Sequence, residues 1–186
     1  MTVQYNPADA ARAVLDFWFD EVGRERWFAK SDALDGQIRT RFAGLQGDLL
    51  ANKAVAWRDT PEHLLAAIIV LDQFSRNLHR GSAKAFAADP IALEMTKLAL
   101  ERGWDAAMAA DRRQFLLMPL MHSEKLAEQD RALVEFEKLG IVGVLDFARR
   151  HHDQIARFAR FPGRNAALGR RSTPEERAVI DHGETF

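Results

Sequence analysis

Residues 60–79, Thr60-Pro-Glu-His-Leu-Leu-Ala-Ala-Ile-Ile-Val-Leu-Asp-Gln-Phe-Ser-Arg-Asn-Leu-His79, decide the fold. Pro61 at a first helical position gives up only a donor that has no partner there, and the Thr60 hydroxyl is placed to accept from a free first-turn N–H. Leu64, Ile68, Leu71, Phe74 and Leu78 then recur at helical spacing, and Leu65 and Ile69 fill the flank of that stripe. The first half of this helix is apolar nearly all round, the pattern of a buried element. Asp72 and Arg76 lie beside Leu65 and Ile69, so both are expected to be desolvated, and their spacing of four residues places them to pair.

The same punctuation recurs along the chain. Asn6-Pro7, Asp89-Pro90 and Thr173-Pro174 mark three more capped helix starts, and Thr173-Pro174-Glu175-Glu176 reads as a capping box with Glu176 reaching back to Thr173. Ile38, Phe42, Leu45 and Leu49 keep a helical period, as do Val144, Ala148, His151, Ile155 and Phe158. Helices are predicted over 7–20, 32–50, 61–79, 90–102, 111–121, 123–138, 141–159 and 174–181, with Gly81, Gly103 and Gly140 as stops and a short turn near 82–87. Strand-like alternation is missing. The expected fold is therefore all-α: a single domain over 1–186, built as an array of about eight helices in antiparallel hairpins. No tetratricopeptide motif repeats in the sequence.

Composition narrows the function. The 186 residues carry a net charge of −1 with 47% hydrophobic residues and no cysteine. Disulfides, thiolate catalysis and Cys-type zinc sites are excluded, and a global field for nucleic acid or anionic membrane is lacking. The longest aliphatic run, Leu64 to Leu71, falls far short of the roughly 20 residues of a spanning helix. With no signal-peptide layout at the N-terminus, a soluble, cytoplasmic protein with no membrane partner is expected.

Charge is nonetheless concentrated. Residues 149–171 hold seven arginines, Arg149, Arg150, Arg157, Arg160, Arg164, Arg170 and Arg171, against the single acid Asp153. Ile155, Phe158, Phe161 and Leu168 thread the segment, so it reads as folded, and its arginines must meet internal carboxylates or an anionic ligand. Pro162-Gly163 reads as a turn that presents Arg164 and Asn165. Pro119 is expected to kink or break a helix, with Ser123 capping the next one, which aims His122 and Glu124 from an otherwise apolar segment.

These residues support three readings. Asp72, Arg76, Asn77, Arg80, Arg160, Arg164 and Asn165 suit a cleft that binds a small anionic molecule or a carboxylate- or phosphate-bearing peptide. His122, Glu124 and His151, should they converge, could serve as acid and base, with the arginines stabilising negative charge. The same arginines could instead form a purely structural network of buried pairs. No Gly-rich phosphate loop, metal-ligand spacing or nucleophile elbow is present, so neither metal nor cofactor is expected. Arg157, Phe158, Arg160 and Phe161 come closest to a base-stacking pattern, but the rest of the chain is net acidic and nucleic acid is not the expected partner.

Four stretches carry a resemblance: Val14-Leu-Asp-Phe-Trp-Phe19, Leu71-Asp-Gln-Phe-Ser-Arg-Asn-Leu-His-Arg-Gly-Ser-Ala-Lys-Ala-Phe86, Met118-Pro-Leu-Met-His-Ser-Glu124, and the arginine-rich Arg157-Phe-Ala-Arg-Phe-Pro-Gly-Arg-Asn-Ala-Ala-Leu-Gly-Arg170 leading into Ser172-Thr173-Pro174-Glu175-Glu176. Together they resemble the bacterial family called domain of unknown function 924. The resemblance implies an all-helical, tetratricopeptide-like fold and no assigned activity. Its motif positions include Asp72, Arg76, Asn77, Arg80, His122, Glu124, His151, Arg160, Arg164 and Asn165, and a histidine is usual where this chain has Gly163.

Overall fold

A computed structural model of the chain describes residues 5–186. Its helices are α1 Pro7–Leu15, α2 Asp32–Ala51, α3 Pro61–Ile68, α4 Ser75–Leu78, α5 Asp89–Glu101, α6 Ala110–Met121, α7 Leu126–Leu139, α8 Val142–Phe158 and α9 Pro174–Asp181. No strand occurs among the described residues. Because α3 runs into α4 through Ile69–Phe74 without a break, the described residues form about eight principal helices, and the fold is all-α.

Three of the four proline-marked starts are capped by side chains. Asn6 Oδ1 accepts from the Ala8 amide at 2.9 Å, Thr60 Oγ1 from the His63 amide at 3.2 Å, and Thr173 and Glu176 close a reciprocal capping box. Asp89 departs from expectation: it is the first residue of α5, Ala88 precedes it, and its carboxylate turns to Arg76 instead of capping. Pro119 also departs, since α6 continues past it to Met121. Gln114 to Met121 are all buried. At about 1.5–3 kcal/mol for each large apolar side chain buried, packing outweighs the roughly 3 kcal/mol that an interior proline costs. The next helix starts at Leu126, and Ser123 Oγ accepts from the Lys125 amide at 3.2 Å to close a tight turn one step before it.

Two helical stretches widen in a way the sequence did not announce. After α1, Asp16–Val22 takes π-helical turns, closed by the Gly23 amide on Trp18 O at 3.2 Å, and Ile69–Phe74 does the same between α3 and α4.

The chain divides into two compact units, the first Met1–Arg80 with Lys84–Ala107, the second Gly81–Ala83 with Met108–Phe186. In the first, Phe17 and Phe42 meet Phe74 of the 61–78 helix in tilted and edge-on contacts, the three centroids 5.0 to 5.9 Å apart, and Trp18 meets Phe74 at 5.4 Å. Residues Leu64 to Leu71 of that helix are buried, as an element apolar on all sides requires. In the second unit α7 packs on both α6 and α8. Gln129 Nε2 donates to the Met121 and Ser123 carbonyls at 2.7 and 2.6 Å, which ties the end of α6 to α7. Gly140, with φ +76°, supplies the left-handed turn that folds α8 back onto α7.

Candidate functional site

The singled-out residues gather in two clusters, one in each unit. In the first, Arg76 Nη1 lies 3.0 Å from Asp72 Oδ1 and donates to the Asp72 carbonyl at 2.8 Å. Its two terminal nitrogens also grip Asp89 at 3.0 and 3.1 Å, the paired geometry that makes Arg–carboxylate bonds strong. Burial works against the Arg76 charge, but Asp72 and Asp89 outweigh it and raise the guanidinium pKa. Gln73 Nε2 donates to Asp72 Oδ2 at 2.6 Å, so a carboxylate only 1% exposed keeps its bonds. Asn77 Nδ2 and Arg80 Nη2 both donate to Asp35 Oδ1, at 2.8 and 2.9 Å. Asp35 is buried, which opposes its charge, yet bonds from Arg80 and Asn77 hold its pKa below the usual range.

Asp35 was not among the residues singled out. Its signal was in the sequence: it sits three residues before Ile38, in line with the stripe Ile38, Phe42, Leu45 and Leu49. An acid on the apolar face of a helix needs a cation, and here Arg80 reaches it from the surface.

The second cluster is larger. Arg160 holds Glu176 through Nε and Nη2 at 2.6 and 2.8 Å, and Asn165 Nδ2 reaches the same carboxylate at 3.3 Å. The bond from Arg160 is the chief cause that draws the Glu176 pKa down to about 2, against burial, with the Thr173 amide adding to it. Arg170 bonds Glu124 twice, at 2.7 and 2.9 Å, and Asn165 Oδ1 at 2.9 Å. Glu124 also accepts from the Phe161 amide at 2.8 Å, and these bonds overcome burial to lower its pKa. Arg164 Nη2 donates to the His122 carbonyl at 2.9 Å while its guanidinium lies 4.5 Å from the Phe161 ring. The order Arg160, Glu176, Asn165, Arg170, Glu124 thus forms one continuous polar network.

His122 and His151 are brought together, with ring centroids 6.0 Å apart, and both are buried. His151 Nδ1 is 2.9 Å from the Phe147 carbonyl, and since a carbonyl only accepts, Nδ1 carries a proton. Phe161 is fully buried against His151, 5.5 Å between rings, so it is core and not a platform for bases.

Residues 184–186 lie against the same helix. Phe186 stacks on His151 at 3.7 Å with 21° between planes, and Gln154 Nε2 donates to the Glu184 carbonyl. A Cβ built on Gly163 would meet the Phe186 carbonyl oxygen at 2.7 Å, so only glycine leaves room for this segment to pass here. Beside it a cavity of about 320 Å³ is lined by Arg150, Asp153, Gln154, Arg157, Phe158, Val179, Glu184 and Phe186. Arg150 faces the Phe147 and Phe186 rings at 5.6 and 5.4 Å and makes no ion pair with a carboxylate of the described residues. Arg157 pairs with Glu175 at 2.6 Å, both side chains more than half exposed.

Over residues 14–184 the sequence matches the family described as bacterial protein of unknown function, DUF924. The chain belongs to this family. It is also similar to a solved structure, the protein of unknown function ATU0120 from Agrobacterium tumefaciens, with 37% identity and a TM-score of 0.90 over 96% of this chain and 100% of that one. No curated protein matches the sequence. Among the described residues of this DUF924 chain no group of three or more His, Cys, Asp or Glu could hold a metal ion, and no helix is long and apolar enough to cross a membrane.

Proposed function

We propose that the protein binds a small anion-bearing molecule, or a peptide bearing carboxylate or phosphate, on the α8 face of its second unit. One observation carries the reading: Arg150 has no carboxylate among the described residues and borders a cavity of about 320 Å³ that also has Arg157 on its wall. A guanidinium in that position recruits an anion from solution, and a cavity of that size accommodates one with an apolar body. In this proposal Asp72, Arg76, Asn77, Arg80, Arg160, Arg164 and Asn165 hold the two units in shape, because their side chains already bond carboxylates, carbonyls or one another. Free cytoplasm is the location proposed with it, which a cysteine-free chain fits.

The test is titration calorimetry with orthophosphate, citrate and short acidic peptides. Binding to the wild type that disappears in Arg150→Ala is the expected result, and no heat from any member of a broad anion panel would sink the reading.

Acid–base catalysis is a second reading, favoured by the approach of His122 to His151. In that reading Glu124 is a poor participant, since Arg170 and the Phe161 amide keep it ionised below the usual carboxylate range. Turnover of phosphoesters, esters or amides that is lost in His122→Ala would favour it, and turnover unchanged by that substitution would exclude these histidines.

A further inference from the structure

We infer that Glu184 to Phe186 form an internal occupant of the α8 groove, a strap that a ligand displaces, and that the ligand is an extended acidic peptide carrying an aromatic side chain. The inference rests on the binding reading above and names its ligand class.

The strap itself shows what the groove accepts. Its aromatic ring lies flat on His151 at 3.7 Å, flanked by Phe147 at 5.1 Å and by the Arg150 guanidinium at 5.4 Å. Its backbone carbonyl at Glu184 accepts from Gln154 Nε2. An extended peptide offers the same two features, a side-chain ring and a main-chain acceptor, at neighbouring positions.

The strap nonetheless fits incompletely. Since a carbonyl only accepts, the bond to Glu184 fixes which way the Gln154 amide faces. Its other end, Oε1, is buried without a hydrogen-bond partner, on a side chain whose residue is only 9% exposed. Leaving a buried acceptor bare is costly. A peptide in the same groove can bring a backbone N–H to Oε1 as well as a carbonyl to Nε2, and so satisfies both ends of the amide.

The strap is also lightly tethered. Gly183 has φ +69°, and the Glu184 amide closes α9 on the Val179 carbonyl at 3.0 Å. Apart from that bond and the one from Gln154, Glu184 is exposed, Thr185 and Phe186 are half-buried, and the cavity beside them leaves room for a bulkier residue. Charge selects the peptide: displacing the strap takes Glu184 from the wall and leaves Arg150 and Arg157 against Asp153 alone, Arg150 pairs with no carboxylate among the described residues, and the exposed Arg157–Glu175 pair can exchange partners at little cost.

The experiment uses the full chain and a capped peptide with the strap's own sequence, acetyl-Glu-Thr-Phe-amide, followed by calorimetry. In Phe186→Ala the competing ring is gone and the peptide should bind about tenfold tighter than to wild type. Gly163→Ala perturbs the strap from its other side, since the added Cβ meets the Phe186 carbonyl at 2.7 Å and Thr185 Cβ at 3.0 Å, and it should shift affinity in the same direction. Adding Arg150→Ala or Gln154→Met to Phe186→Ala should abolish the gain, and acetyl-Gln-Thr-Ala-amide should not bind. No tightening in either single variant, with circular dichroism unchanged, overturns the inference. Orthophosphate or citrate binding that depends on Arg150 while the peptide fails leaves the binding reading standing without the strap. Silence from both anion and peptide removes the two together.

Discussion

In the first unit each singled-out arginine ends on acid: Arg76 on Asp72 and Asp89, Arg80 on Asp35. The second unit repeats this from Arg160 to Glu176 and from Arg170 to Glu124, and on α8 Arg149 and Arg157 keep exposed pairs with Asp146 and Glu175, but Arg150 between them meets two aromatic rings and a cavity. The difference separates two uses of one side chain. A guanidinium gripped by two carboxylates has its desolvation offset and has nothing left to offer a ligand; one resting on rings at the edge of a cavity keeps its donors. Arginine content alone, seven in 23 residues of sequence, does not distinguish them.

The comparison breaks most visibly where a pair is severed. Arg76→Ala leaves Asp72, 1% exposed, and Asp89 without their cation, and should destabilise the protein by about 3 kcal/mol in urea unfolding. A loss below about 1 kcal/mol would mean that water or Gln73 satisfies Asp72, and that the first cluster is not held by ion pairing.

Glu176 gives the second unit its own, smaller test. Its folded pKa of about 2 lies below the ordinary 4.5, so the carboxylate contributes stability that is complete above about pH 4.5 and is lost as pH falls toward 2. Glu176→Gln should cost about 1–2 kcal/mol at neutral pH, since the charge to Arg160 and part of the capping box go together. Across pH 5 to 2 the variant should lose less stability than wild type, read as midpoint shifts in urea titrations at each pH. Parallel pH profiles would show that Glu176 ionisation does not hold α9 in place.

Much of this architecture was legible in the sequence, and the reasons differ by element. Thr60-Pro61 and Thr173-Pro174 announced helix starts because capping is local chemistry, settled within four residues. Gly140 announced a stop because its φ of +76° favours glycine. The end of α8 carries no such mark: Ala159 takes φ 55° and turns the chain toward Arg160, a conformation that tertiary packing imposes on an ordinary residue. Asp89 misled for the same reason, since cap geometry is local but its partner Arg76 is 13 residues away. The paired arginines were visible residue by residue and invisible in their pairing, while Arg150, Gln154 and Phe186 at the cavity are not among the candidate residues that spacing points to. Whether an arginine meets Glu124 or a cavity depends on contacts between α6, α8 and the 160–170 turn, and spacing along one helix does not encode them.

Arg150→Ala should have the smallest effect on folding and sharpen the contrast most. The side chain is exposed, its ring contacts at 5.4 and 5.6 Å are near the outer limit for cation–π attraction, and no carboxylate of the described residues depends on it. Its removal should change stability by no more than about 0.5 kcal/mol, the range of ordinary surface substitutions. Under the proposed function the same change should remove the calorimetric signal for anions, so stability and binding part company at this residue, whereas at Arg76 stability alone should fall. A destabilisation near that of Arg76→Ala would place Arg150 in the structural network and erase the distinction between the two units. Retained stability with retained anion binding would instead move the site off the α8 face.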